Sequence, residues 1–428
     1  MNKTAIKNFA IWARNKLIAS VEKKAMLVGI TEAGIADKLP VSTSDTEFYD
    51  IGTGTPYSIT GKEIQQRKKL VKAINDRTQN GDYKTAFHSV VEEVAYTWFN
   101  RLIALRFMEV NGYLEDDMRV LSSVSAGKIE PDAVTTPFDY DFDFTAEERS
   151  LVMDLQANNK IDELFRIIFI KECNALNECL PYLFEKTADY SEFLLTISVT
   201  DIDGVVYKLV HDIPEEDFNI AMGGQVEIIG WMYQYYNTEP KAKVFNRPSG
   251  QKIKKGEVPA VTQLFTPDWI VRYMVENSLG RLWLEGHPSD SLKSNWIYYL
   301  EEAQQEPEVQ AQLEELRKDR KNIQPEDIKI IDPCMGSGHI LVYAFDVLMD
   351  IYREQGYVDR EAAQSIIENN LYGLDIDQRA FQLAYFAVMM KGRQYDRRIL
   401  GRGIEPNLCA IEESNGLEKY EDLLAEIM

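Results

Sequence analysis

The string Asp332-Pro333-Cys334-Met335-Gly336-Ser337-Gly338 follows a short apolar run, Ile328-Lys329-Ile330-Ile331, and leads into another that starts at His339-Ile340-Leu341. Strand, carboxylate, glycine turn and helix in that order let a nucleotide cofactor lie close against backbone. Farther on, Tyr372-Gly373-Leu374-Asp375-Ile376-Asp377 is a second short apolar strand that ends in a carboxylate. Asp375 can accept hydrogen bonds from both vicinal hydroxyls of a ribose, and Ile376 can cover one face of an adenine. A dinucleotide-binding loop would carry a third glycine three residues after the second and an acidic residue about 20 residues further on. Leu341 stands where that glycine belongs, and the next strand-ending acid, Asp375, lies about twice as far away. Asp332 precedes the turn, where its charge favours an ammonium or a sulfonium and disfavours a pyrophosphate. Together the two halves point to S-adenosylmethionine.

The elements that must position these groups follow from periodicity. The glycine turn predicts a long helix and a second short helix before the Asp375 strand, and Asp377 suits the N-cap of a helix ending near Met390. Upstream, Thr266 is expected to cap a helix whose first turn holds Pro267. Residues 284–322 form a polar, glutamate-rich excursion of helical character. Before about residue 245 the chain reads as mostly helical. Its strongest segment spans residues 86–113, where Val90, Val91, Val94, Trp98, Phe99, Leu102, Ile103 and Phe107 recur at helical spacing. Arg101 and Arg106 are expected at that helix's polar edge or paired with Glu92, Glu93 or Glu109. Residues 114–150 are acidic, aromatic and proline-containing, and are expected to be irregular, with helix resuming at Ala146. Val205, Val206, Leu209 and Val210 favour a helix over a hairpin. The fold class expected is α/β, a mostly helical domain over residues 1–245, a basic linker over 246–258, and a partial Rossmann-like S-adenosylmethionine-binding domain over 259–428.

Composition narrows the function. With 45% hydrophobic and 27% charged residues in 428, the chain is ordinary globular protein. Its four cysteines show no zinc spacing and suggest no disulfide framework, so a reducing cytoplasm is expected. No membrane-spanning run occurs, and no metal site is expected. A net charge of −22 makes the average surface repel nucleic acid, so DNA contact must come from local basic segments. One is the linker, where Lys252, Lys254 and Lys255 either meet DNA phosphates or keep a solvated connector extended. The other holds Lys391, Arg393, Arg397, Arg398 and Arg402, which either face DNA or complement a helix end. Glu239-Pro240-Lys241 has the Glu-x-Lys form of a metal-dependent nuclease, but it follows an aromatic helix and lacks a partner aspartate on a preceding strand.

The glycine loop and the Asp375 strand, preceded by Thr262-Gln263-Leu264-Phe265-Thr266-Pro267, resemble the cofactor motifs of amino-methylating DNA methyltransferases in which Phe-Thr-Pro comes first. The segments Ala95-Tyr96-Thr97-Trp98-Phe99-Asn100-Arg101-Leu102 and Gly230-Trp231-Met232-Tyr233-Gln234-Tyr235-Tyr236 are similar to the adenine methyltransferases of BREX phage-defence systems, the PglX family. The resemblance spans nearly the whole chain. It implies that Phe265, Thr266, Pro267, Asp332, Pro333, Gly336 and Gly338 line the methionine end of S-adenosylmethionine, that Asp375 holds the ribose and that Ile376 packs on adenine. It implies N6 methylation of adenine in double-stranded DNA within a BREX or restriction-modification system, with other defence proteins and a DNA-mimicking phage inhibitor as further partners. Cys334, where relatives have a small residue, is read as packing and not as a nucleophile, and His339 as a helix-start residue.

The Asn/Asp-Pro-Pro-Tyr/Phe loop with which such enzymes bind a flipped adenine does not occur in the 428 residues. Glu405-Pro406-Asn407-Leu408 is the nearest string. The chain is therefore expected to be the amino-terminal portion of a longer methyltransferase, without catalytic residues of its own and inactive alone. The alternatives are a non-catalytic cofactor-binding or scaffold subunit of a defence complex and, less favoured, a nucleotide-dependent oxidoreductase.

Overall fold

A computed structural model describes residues 1–412 except 79–80, 126, 187–188, 249 and 255–256. They form two compact units, residues 1–239 and residues 240 onward. The first unit grows from helices with well-made starts. Asn2 accepts the Ala5 amide at 3.1 Å and opens α1 (Lys3–Leu27), whose buried Ile6, Phe9, Ala10, Ala13, Leu17 and Val21 recur every three or four residues. After α2 (Lys62–Thr78), Asp82 accepts the Thr85 amide at 2.9 Å and opens the 28-residue α3 (Tyr83–Val110). α1 packs against α3 and against α4 (Ile228–Tyr236). Phe99 sits at the junction, 4.6 Å from the Tyr236 ring and 6.4 Å from Phe9. Such ring pairs each add about 0.5–1.5 kcal/mol beyond area burial.

α3 corrects one expectation. From Val90 on it is buried almost all round, so it has no polar edge for its arginines. Arg101 and Arg106 are each 1% exposed. Arg106 does pair with Glu109, at 2.8 Å, and also with Glu215 at 3.0 Å. Arg101 instead donates to the Glu185 carbonyl at 2.6 Å, its guanidinium 5.2 Å from the Trp98 ring. Glu92 and Glu93 serve Arg14 and Arg77. Two small antiparallel hairpins, Ile30–Thr31 with Gly34–Ile35 and Thr46–Tyr49 with Tyr57–Thr60, interrupt what reads in sequence as helix. The described residues among 114–145 are irregular apart from the short turns Glu115–Asp117 and Asp132–Thr135, and helix resumes at Ala146–Ala157 behind a Thr145/Glu148 capping box. Val205–His211 is helical, as favoured.

In the second unit, a helix Thr238–Phe245 holds Lys241 and Lys243, and the non-helical basic stretch begins after it. Pro267, not Thr266, takes the cap position of α5 (Asp268–Val275), with ψ 139° and no side-chain cap. With Pro267 itself in extended geometry, the helix starts one residue later than expected. The polar excursion includes helices at Asp290–Asn295 and Pro307–Arg317. A three-stranded parallel sheet follows, β1 (Ile330–Asp332), β2 (Leu371–Asp375) and β3 (Asn407–Ala410), in that spatial order. α6 (His339–Glu354) with the short helix Asp359–Ser365 crosses from β1 to β2, and α7 (Gln378–Tyr395) crosses from β2 to β3. A helical part followed by a partial parallel α/β fold matches the fold class expected. No helix among the described residues is long and apolar enough to cross a membrane.

Candidate cofactor site

β1 and β2 run parallel, so both strand-ending carboxylates emerge at one end of the sheet, the end where open α/β sheets hold ligands. Asp332 pairs in register with Gly373, and Asp375 lies two residues farther along β2. The turn between β1 and α6 is tied to β2 on both sides: Met335 donates to the Leu374 carbonyl at 3.0 Å, and Gly336 to Asp375 Oδ2 at 2.9 Å. Asp375 Oδ1 accepts the Asp377 amide at 2.8 Å. Each carboxylate oxygen keeps acceptor capacity beyond these bonds, so Asp375 is oriented by the loop without being saturated by it.

Gly338, at φ +81°, could not be replaced freely. A Cβ there would lie 3.0 Å from Ala384 Cα, so the turn is pressed against α7. Gly336, at φ +55°, is the opposite case, since a Cβ there would meet nothing within 4 Å: it forms the open side of the cradle. Gly373 supports the loop from below, since a Cβ on it would come within 2.4 Å of Met335 Sδ.

The Phe-Thr-Pro segment reaches this loop through one ring. Phe265, 8% exposed, stacks on His339, the first residue of α6, with centroids 4.1 Å apart and planes 24° apart. α5, which follows the motif, packs along α6. The fully buried Glu276 secures that packing by accepting from Tyr343 Oη at 2.6 Å and from the Tyr298 amide at 2.7 Å. Thr266 is half-buried and Pro267 exposed.

The electrostatics suit a cationic ligand. Burial pushes the Asp332 carboxyl above its usual value; the Cys334 amide, donating at 3.1 Å, opposes that shift, and the nearby Asp375 charge adds to it. Neither Asp332 nor Asp375 makes an ion pair among the described residues, and Arg379 is held by Asp377 at 2.9 Å. An ammonium or sulfonium would relieve this pair of like charges. Ile376, 54% exposed, and exposed Pro333 present apolar surface beside them. A carboxylate for a cation, one for vicinal hydroxyls, an open glycine and an exposed isoleucine are a set that S-adenosylmethionine fits. Cys334 is exposed, which corrects its reading as packing. Its thiol is pushed up by partial burial and by Asp332, so it is no better a nucleophile for being exposed.

The proposed DNA-contact residues lie elsewhere. Lys252 and Lys254 are exposed, and Lys255 falls outside the described residues. Arg397 and Arg398 are exposed just past the end of α7. Their neighbours are engaged: Lys391 pairs with Asp346 at 2.7 Å and Arg402 with Asp396 at 2.6 Å. The nuclease-like string does not assemble, because Glu239 accepts from Asn15 at 2.9 Å while Lys241 donates to the Gln263 carbonyl at 2.7 Å. No cluster of metal-ligating side chains occurs among the described residues.

Asp377 caps α7 as its position in the sequence implies, accepting the Arg379 amide at 3.1 Å, although the helix runs on to Tyr395. Three features were missed. β3, four residues long, is too short to announce itself. Glu276 reads as one more exposed acid, and His339 as a mere helix start. The only available signal for His339 was its place, one residue after a glycine turn that leaves room for a ring.

With this geometry in hand, comparison with known proteins is informative. Residues 314–403 match the N-6 DNA Methylase family model. Over 97% of its length the chain is 46% identical to the adenine-specific methyltransferase PglX of Lacticaseibacillus casei strain Zhang, and 41% identical to the adenine-specific methyltransferase BrxX of Escherichia coli O9:H4 strain HS. It spans 34% and 33% of those relatives' own lengths. The likeness read from the motifs is thereby borne out.

Proposed function

We propose that this chain, a sequence relative of the PglX and BrxX adenine-specific methyltransferases, forms the S-adenosylmethionine-binding part of a DNA adenine N6-methyltransferase of a BREX or restriction-modification system. The observation that carries the reading is the Asp375 carboxylate, fixed by the Gly336 and Asp377 amides at 2.9 and 2.8 Å and still able to accept from two ribose hydroxyls. Asp332 would meet the cationic methionine end, Pro333, Gly336 and Gly338 would let it approach backbone, and Ile376 would cover adenine. Phe265, held by His339, would close the methionine end together with Thr266 and Pro267. S-adenosylmethionine, when bound, supplies an electrophilic methyl group on a sulfonium centre. The protein's part is to position that donor and to favour its charge.

Recognition of the flipped adenine belongs, in this reading, to the roughly two thirds of the relatives' length that the chain does not match. Duplex DNA, other defence proteins and a DNA-mimicking inhibitor are partners of that longer enzyme. Titration calorimetry with S-adenosylmethionine tests the site: binding by the wild type and its loss in Asp375→Ala are expected, and equal heats from both would refute the assignment. Incubation with duplex DNA and labelled donor should give no methyl transfer by the 428 residues, and robust transfer would overturn the division of labour.

A further inference from the structure

α2 is a charge anomaly. In a chain of net charge −22 it carries Lys62, Arg67, Lys68, Lys69, Lys72 and Arg77 against only Glu63 and Asp76. The structure sorts these cations by type. Arg67 turns inward, donating to the Val28 and Ala36 carbonyls at 2.8 and 2.9 Å with its guanidinium 4.1 Å from the Tyr49 ring. Arg77 bonds Ser89 at 3.1 Å and also pairs with Glu93. Ile64, Leu70 and Ile74 bury the opposite face. The remaining face holds Lys62, Gln65, Lys68, Lys69, Lys72 and Asn75 with Asp76 among them, all exposed, and of these lysines Lys69 is engaged in an interaction of its own. Lys62 touches Glu192 only at 3.5 Å with its side chain 69% exposed.

This face has the chemistry of a phosphate contact. Lys68 and Lys72 are one turn apart, which sets them about 6 Å apart along the helix, comparable with the separation of neighbouring phosphates on one DNA strand. Ammonium groups are compact charges that need no fixed angle of approach, and the Gln65 and Asn75 amides can donate beside them. A protein partner fits poorly. Protein interfaces are depleted in lysine and built around aromatic or apolar centres, and this face has neither. From this we infer that the exposed face of α2 is a sequence-independent contact for the backbone of duplex DNA, placed in the helical unit and separate from the cofactor cradle. The inference takes duplex DNA from the function proposed above but does not need the cofactor site, so a failed calorimetric titration would leave it standing.

The test is fluorescence anisotropy of a labelled duplex with the 428-residue chain and its Lys68→Gln, Lys72→Gln variant, without cofactor, over about 50 to 200 mM salt. The variant should bind about tenfold more weakly at the low-salt end, equally for unrelated sequences, with the slope of log affinity against log salt shallower by about 2. Its melting temperature should match the wild type, because the altered side chains are exposed. Three results would each overturn the inference: no salt-dependent binding of duplex by the wild type, an unchanged slope in the variant, or competition by polyglutamate as effective as that by unlabelled duplex.

Discussion

The two units treat buried charge in opposite ways. In the helical unit, Arg106 is fully enclosed yet has Glu109, Ser122 and Glu215 around it, and Arg101 has the Glu185 carbonyl and the Trp98 ring. Charge there is neutralised internally, which marks it as architecture. In the second unit, Asp332 and Asp375 converge at the ends of neighbouring parallel strands, where burial and the Asp375 charge both raise the cost of ionising Asp332, and the donors they meet are backbone amides and the Cys334 thiol. Charge left uncompensated at the mouth of an open glycine turn marks a place for a ligand. The same kind of residue is thus structural in one unit and poised for binding in the other.

The largest effect should come from breaking the internal neutralisation. Arg106→Ala strands the Glu109 carboxylate, whose side chain is 0% exposed, and should cost about 3–5 kcal/mol in urea unfolding. A loss under about 1 kcal/mol would mean that this network is dispensable and would blur the contrast. In the cradle, Asp375→Ala should weaken S-adenosylmethionine about 100-fold by calorimetry, from two lost charge-assisted hydrogen bonds. Because Asp375 is not part of a packed ionic network, its removal should shift the unfolding midpoint far less than Arg106→Ala does.

Glu172 sharpens the comparison, being a buried acid of the helical unit without an ion pair among the described residues. Burial, with the Glu115 charge adding, pushes its carboxyl up from 4.5 to about 7. The folded chain therefore holds a proton that the unfolded chain gives up. Its contribution to stability is complete below the ordinary carboxylate value and falls as pH rises towards about 7. Glu172→Gln should stabilise the protein by about 1–3 kcal/mol at about pH 8 and leave it unchanged near pH 4. Unfolding curves at the two pH values check this, and an equal effect at both would exclude a titrating Glu172.

The smallest expected effect concerns the ring that carries Phe265. His339→Ala should weaken S-adenosylmethionine and S-adenosylhomocysteine by about three- to tenfold, leave adenosine binding alone, and be rescued by His339→Phe. Equal losses for adenosine would make His339 a support of the whole fold and not of the methionine end.

The framework of the proposed cofactor half was legible because its sequence pattern is local. Asp332, the two loop glycines, Asp375 and the capping Asp377 stand within short strings, and each string fixes its own strand, turn and helix start. Arg106 pairs with Glu109 as expected, but Arg101 was misplaced because periodicity assumes that a helix has a wet side, and α3 has almost none. The one-residue shift at Pro267 rests on that residue's own extended ψ of 139°, which no local string announces. β3, the Phe265–His339 stack and the Glu276 tie all depend on segments distant in the chain. Nothing in a local window reports which ring will meet which, or that Asn407–Ala410 will pair in parallel with β2.

Amide hydrogen exchange with and without S-adenosylmethionine tests the central claim most directly, because it reads both units at once. Protection should rise across residues 332–340 and 375–377 and stay unchanged across α3. No added protection in the cradle, or a gain spread evenly over both units, would contradict a ligand site built on Asp332 and Asp375.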